Sequence, residues 1–169
     1  MTDAANRMEA VWRQRANRLS HRTVTNGSGA RPVMVVRLGN EQYGIHLPDV
    51  AEVLPPVQIT PVPGVPAVFA GVINAHGEIR PVISLRRLLG IETVPGSDPA
   101  RVVLLRKEGR EMGLEIDGVE QIRWIGPLDL PSEGRGAGLS QYVTRSTGDL
   151  LMMLNTEALF AELQTGDAT

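Results

Sequence analysis

Beyond residue 30 the hydrophobic positions of this chain fall in short runs separated by glycine-bearing breaks. The run PVMVVRL ends at Leu38, Gly39 and Asn40 follow, and EQYGIHL resumes the apolar pattern. Apolar runs on either side of a two-residue glycine turn predict a hairpin. Pro48 suits the first turn of a helix, where no amide partner is needed, so the pattern predicts a short helix through Val53. Prolines at 55, 56, 61, 63 and 66 forbid a long helix beyond it and leave ITPVP as an irregular or edge strand at best. Residues 71–90 read GVINAHGEIRPVISLRRLLG. Val72 and Ile73 lead in, Asn74 to Glu78 breaks the pattern, and Ile79, Val82, Ile83 and Leu85 resume it. This predicts a second hairpin, whose tip carries the residues there that a partner could read.

The apolar pattern recurs. GNEQYGIHLPDVAEVL (39–54) is matched by GREMGLEIDGVEQIRW (109–124), with Gly44, Ile45, Leu47, Val50 and Val53 aligning on Gly113, Leu114, Ile116, Val119 and Ile122 at an offset of 69. GEIRPVISLRRLL (77–89) is matched by GDLLMMLNTEALF (148–160) at an offset of 71. Two copies are too few for a solenoid. They predict two small β subdomains about a pseudo-twofold axis, and closing each sheet into a barrel would hide its edges.

Charge changes the picture at the N-terminus. Residues 1–31 carry six arginines against Asp3 and Glu9, a net +4 (6 − 2), so the rest of a chain of net charge −2 carries −6. Within 4–22, Met8, Val11, Trp12 and Leu19 fall at roughly helical spacing among the arginines, which predicts a cationic amphipathic helix. Such a helix can pack on its own body, fray, dock a partner or touch a membrane surface. TVTNGSGA (23–30) reads as a linker. The acidic body disfavours nucleic acid, whose non-specific binding depends on neutralising phosphates. No apolar run approaches the ~20 residues of a membrane span, and no secretory signal is legible. The expectation is a soluble cytoplasmic protein, without direct membrane insertion.

Candidate chemistry is sparse. The chain has no cysteine, which removes thiolate nucleophiles and cysteine-ligated zinc. Histidines 21, 46 and 76 show no paired ligand spacing, no serine lies in a GxSxG elbow, and no phosphate-binding GxxxxGK[ST] occurs. The glycine-rich EGRGAGLS (133–140) reads as a loop between subdomains. The expectation is a protein of surfaces, with no catalytic, cofactor or metal residues.

YGIHLPDVAEVL, ITPVPGVPAVFAGVINAHGEIRPVISLRRLLG and GLEIDGVEQI, in that order, strongly resemble the CheW-like domain family over about residues 32–164. The resemblance implies a mainly β fold of two pseudo-symmetric five-stranded barrels of Src-homology-3 type, with short helices and interleaved within residues 31–169, after an N-terminal helical extension and linker over 1–30. It implies a non-catalytic chemotaxis adaptor, located at membrane-associated receptor arrays. Its partners would be the regulatory domain of a CheA-type histidine kinase and the cytoplasmic tip of a chemoreceptor, and rings with other CheW-like domains would be open to it. Two other readings stay open: a diverged scaffold or competitor in another receptor-kinase pathway, and a small-molecule-sensing β-barrel.

A groove between two barrels would take an amphipathic receptor helix. Its candidate residues are Val50, Val53 and Leu54 in the expected helix region, with Val119 and Ile122 as second-half counterparts, although each is also a candidate for the core. At the hairpin the family usually has Asn-Leu-Arg-Gly, and this chain has Asn74-Ala75-His76-Gly77. The resemblance places the tip cation near the carboxylate of Glu52, so His76 and Glu52 would form a pH-sensitive pair, because histidine changes charge near neutral pH while arginine stays charged. Asn74 and Gly77 would serve the turn through left-handed backbone angles. Arg86 would bind a carboxylate in a forked geometry or brace the hairpin. His46 and Ser84 stand where the family usually has Asp, and Asn155 departs from a second Leu-Asp.

Overall fold

A computed structural model describes residues 29–91, 101–126, 141–145 and 151–165. The expected N-terminal helix, its linker as far as residue 28 and the glycine-rich loop at 133–140 lie outside them. Among the described residues ten strands are present: β1 (Arg31–Leu38), β2 (Glu41–His46), β3 (Val50–Val53), β4 (Phe69–Ala75), β5 (Glu78–Ser84), β6 (Arg101–Lys107), β7 (Arg110–Ile116), β8 (Gly118–Ile125), β9 (Val143–Arg145) and β10 (Met152–Leu154). Helix α1 (Leu85–Leu89) follows β5, and α2 (Thr156–Thr165) follows β10.

The strands form two five-stranded sheets, ordered β8-β1-β2-β10-β9 and β3-β6-β7-β5-β4. With β1 to β5 as the first copy of the repeat and β6 to β10 as the second, the two orders are images of each other, and each sheet draws on both copies. The central pairs β1–β2 and β6–β7 are antiparallel, while β10–β2 and β5–β7 are parallel. Even the irregularities repeat. The ladder slips between Val50 and Glu52 on β3, and opposite Val35 and Val36 on β8, so that Ala51 and Glu120 occupy equivalent bulges. Each unit is Src-homology-3-like, but no ladder joins its end strands among the described residues, so the expected barrels are open sheets.

One sequence expectation is corrected here. Pro48 does begin a helical turn, but only a 3-10 turn over Leu47–Asp49; Val50–Val53 is a strand paired antiparallel with β6. The backbone hydrogen bonds offered by β6 outweigh the weak local preference for helix. Leu85 likewise opens α1 instead of continuing the hairpin strand.

The run VMVV in β1 is apolar throughout because both faces of the strand are covered. Met34, Val36 and Leu38 enter the central core between the sheets, whereas Val33 and Val35 join Ile125, Leu151 and Met153 inside one curled sheet. β6 divides in the same way, with Val103 and Leu105 central and Val102 packed with Leu54, Ile73, Ala75 and Val82 inside the other sheet. The repeat glycines stand where those interiors are tightest. A Cβ on Gly44 would lie 2.8 Å from Val33 and 2.5 Å from Met153, and one on Gly113 would lie 2.8 Å from Val102 and 2.9 Å from Val82. These are equivalent neighbours at equivalent positions. Gly71 is required for another reason: with φ +145, its missing side chain makes room for the carbonyl of Thr60, which pairs with β4 through Val72.

Candidate partner-binding surface

The β4–β5 hairpin closes on a two-residue turn. His76 (φ 53) and Gly77 (φ 86) are both left-handed, the requirement of a type I′ turn. Asn74 is not left-handed, contrary to expectation; its side-chain oxygen accepts a hydrogen bond from the Gly77 N–H at 2.8 Å. Tolerance of the turn therefore belongs to His76 and Gly77, while Asn74 fastens it.

β3 and β4 are the two free ends of their sheet, yet His76 Nε2 lies 2.7 Å from Glu52 Oε2. The sheet has curled far enough for its ends to meet, and this side-chain contact crosses the seam that no ladder closes. Both side chains are largely in solvent, 70% and 42% exposed. Beside the contact opens a cleft of about 370 Å³ whose charged lining is Glu52, His76, Glu78, Arg80, Arg106 and Glu111. These groups satisfy one another: Arg80 pairs with Glu78 and with Glu111 (2.9 Å), and Arg106 Nε donates to Glu111 at 2.6 Å. The hydrogen bond from Arg106 holds the Glu111 carboxyl below the usual range, opposed by burial and reinforced by the Arg106 and Arg80 charges.

The apolar candidates divide. Val50 and Val119 are partly buried against the central core, and Leu54 is buried in the interior of its own sheet. Val53 and Ile122, which are repeat equivalents, remain exposed at 37% and 55%. Val53 shares the central-core face of β3 with Val50, and Ile122 lies opposite Met34 on the corresponding face of β8. Four of the five are thus strand positions and Leu54 directly follows β3, so they do not form one helical stripe.

Arg86 turns inward. Its guanidinium pairs with Asp117, with side chains 12% and 16% exposed, and Asp117 also accepts the Gly39 N–H at 2.6 Å. This joins α1, which follows the second sheet's β5, to the β1–β2 turn of the first. Asp117 belongs to no motif; its position between the repeat strands β7 and β8 is the signal the sequence offers.

The remaining departures also have places. Burial pushes the half-buried His46 imidazole below its ordinary range, with the Asp49 carboxylate opposing and the Arg31 and Lys107 charges adding. Ser84 is buried and its N–H donates to Val68. Asn155 accepts a hydrogen bond from the Ala158 N–H at 3.3 Å at the start of α2, the role an Asp would fill. Among the described residues no group of three or more His, Asp or Glu side chains could hold a metal ion.

Comparison with known proteins places this geometry. The profile of the CheW-like domain matches residues 32–164. The "Chemotaxis protein CheW" of Treponema pallidum is 29% identical over 159 residues, covering 86% of this chain and 94% of that protein. Its Rhizobium meliloti counterpart is 25% identical over 103 residues, 61% of this chain and 66% of that one. Among solved structures, the scaffolding protein TtCheW of Thermoanaerobacter tengcongensis superimposes with a TM-score of 0.64 at 29% identity, covering 74% of this chain and 87% of that one.

Proposed function

Since the chain belongs to the CheW-like domain family and is a chemotaxis adaptor, we propose that it links the regulatory domain of a CheA-type histidine kinase to the cytoplasmic tip of a chemoreceptor. The observation that carries this reading is the pair of exposed apolar residues, Val53 and Ile122, at equivalent places on two edge strands. An amphipathic helix presents apolar side chains at regular spacing and gains affinity by covering such positions. Val50 and Val119 support that face from the central core, Leu54 fills the interior of its own sheet behind β3, and the hairpin tip with Asn74, His76 and Glu52 offers a separate polar contact for the kinase domain. Two unlike flanks on one molecule allow a heterologous ring with domains of the same fold. Arg86 acts here as a brace. No helix among the described residues is long and apolar enough to cross a membrane, and the adaptor works on the cytoplasmic side, at the receptor array.

The test is calorimetric titration of the full chain with the kinase regulatory domain and, separately, with a receptor-tip fragment. Both should bind. Val53→Asp and Ile122→Asp should each weaken the receptor fragment by about tenfold, roughly 1.4 kcal/mol, at unchanged thermal midpoint. Failure of both partners to bind folded protein would overturn the reading.

A further inference from the structure

The cleft beside the hairpin tip is the open mouth of one curled sheet. Val82 on β5, Val102 on β6 and Gly113 on β7 face its interior, and residues two apart on a strand point the same way. Arg80, Glu111 and the Leu104–Arg106 end of β6 therefore continue that interior outwards, with Arg106 opposite Glu111 and with Ala75 and Leu104 buried beneath them. The repeat is broken here. At the offsets that align the two copies, Leu151 stands for Arg80, Gln42 for Glu111 and Arg37 for Arg106. Leu151 is buried with Val33, Val35, Ile125 and Met153 and fills the other sheet's interior, while Arg37 turns to Glu120. One interior is plugged by leucine; its counterpart opens on a cleft of about 370 Å³, within the range of small-molecule sites.

We propose that this mouth binds a small aliphatic α-amino acid, with its carboxylate on Arg80 and Arg106 and its ammonium on Glu52 and Glu78. Polar atoms of both signs are left over to receive it. Arg80 and Arg106 direct Nε and Nη2 to carboxylates of the cleft and leave Nη1 without a hydrogen bond among the described residues. Glu52 and Glu78 commit Oε2 to His76 and Arg80 respectively, and leave Oε1 open. A lone anion would meet the three carboxylates of Glu52, Glu78 and Glu111, and a lone cation would meet two guanidinium groups. A ligand carrying both charges is the class that matches each set with its opposite. The inner trio needs no rearrangement, because Glu111 stays paired to Arg80 and Arg106. Leu104 and the methyl groups of Ala51 and Ala75 offer the ligand side chain an apolar surface. An ammonium on Glu52 would share that carboxylate with His76 and loosen the hairpin tip. Its effect on the kinase contact rests on the proposed function, whereas the binding itself does not.

The probe is L-leucine, titrated into the isotope-labelled full chain and followed by heteronuclear NMR. Amide signals of Ala75, His76, Leu104 and Arg106 should move and saturate with a dissociation constant of about 1 mM, the scale open to so small a ligand. Isocaproate, which lacks the ammonium, and isoamylamine, which lacks the carboxylate, should each bind about tenfold more weakly, the loss of one charge-assisted hydrogen bond. Arg106→Gln should weaken leucine to a similar extent, and Arg37→Gln, its equivalent at the plugged mouth, should leave binding unchanged. Absence of saturable shifts at these amides overturns the inference. So does an analogue that binds as tightly as leucine, which would make the mouth a simple anion or cation site, and so does an equal effect of the two arginine variants. The three-ligand comparison uses wild-type protein and depends on no variant folding. No readout involves kinase or receptor, so the site can fail while the coupling role stands.

Discussion

Gly44 and Gly113 are small because strands β2 and β7 pass close to side chains of both copies inside each curled sheet. A methyl group at either site meets a valine packed at 0% exposure, Val33 or Val102, with little room to move. Gly113→Ala and Gly44→Ala should each destabilise the protein by about 1–3 kcal/mol, the usual cost of overpacking, read from urea unfolding midpoints. Similar losses would follow from the equivalent neighbours. His46 acts through solvation instead. Its native proton affinity is lowered by burial, so the unfolded chain takes up the proton at a higher pH than the native protein does. Stability present above about pH 6.5, the ordinary histidine value, therefore declines as pH falls through the native value. Wild-type protein should lose more of its urea midpoint between about pH 7 and pH 5 than His46→Gln does; equal losses would remove His46 from the account.

Between strands, the contact of His76 with Glu52 holds together two sheet ends that have no ladder between them. Exposed ion pairs contribute roughly 0.2–1 kcal/mol, and both side chains are well exposed. A double-mutant cycle of His76→Ala and Glu52→Ala should return a coupling of that size in unfolding measurements. A coupling near zero would leave the hairpin tip held by Asn74 and the backbone alone. The same region shows where local signals succeed and fail. The tight turn was legible because left-handed geometry is demanded locally by a two-residue connection. The strand at Val50–Val53 was misread because Pro48 sends a true but short helical signal, and the deciding partner, Val103 to Leu105, lies about fifty residues away in sequence. Its repeat equivalent, VEQI at 119–122, carries no proline and lies in β8; the missing proline was the signal available in the sequence.

At the scale of the molecule, two polar ties join the two sheets, and the equivalent helix residues in them, Arg86 and Glu157, carry opposite charges. Arg86 on α1 meets Asp117 at one, and at the other Glu157 on α2 meets Lys107, where Thr156 also donates to Asp49 at 2.6 Å. They differ in burial, since Arg86 and Asp117 are largely covered while the Glu157 side chain is 77% exposed. Arg86→Ala should cost about 1.5–3 kcal/mol, as expected for a charge-assisted bond shielded from water, and Lys107→Ala under about 1 kcal/mol. Equal effects on thermal unfolding would contradict this ranking. The sequence by itself determined the β1–β2 and β4–β5 hairpins and the twofold repeat, because alternation, turn residues and glycine spacing act over a few neighbours. Residues such as Glu52 and His76 could be paired in advance only through family resemblance. Tertiary structure decided which copy supplies each edge strand, that Arg86 faces inward to Asp117, and that Ile122 and Trp124 remain uncovered by the sheets. Two similar copies offer each strand nearly equivalent partners, and only simultaneous packing of three apolar clusters distinguishes the exchanged arrangement from the simple one.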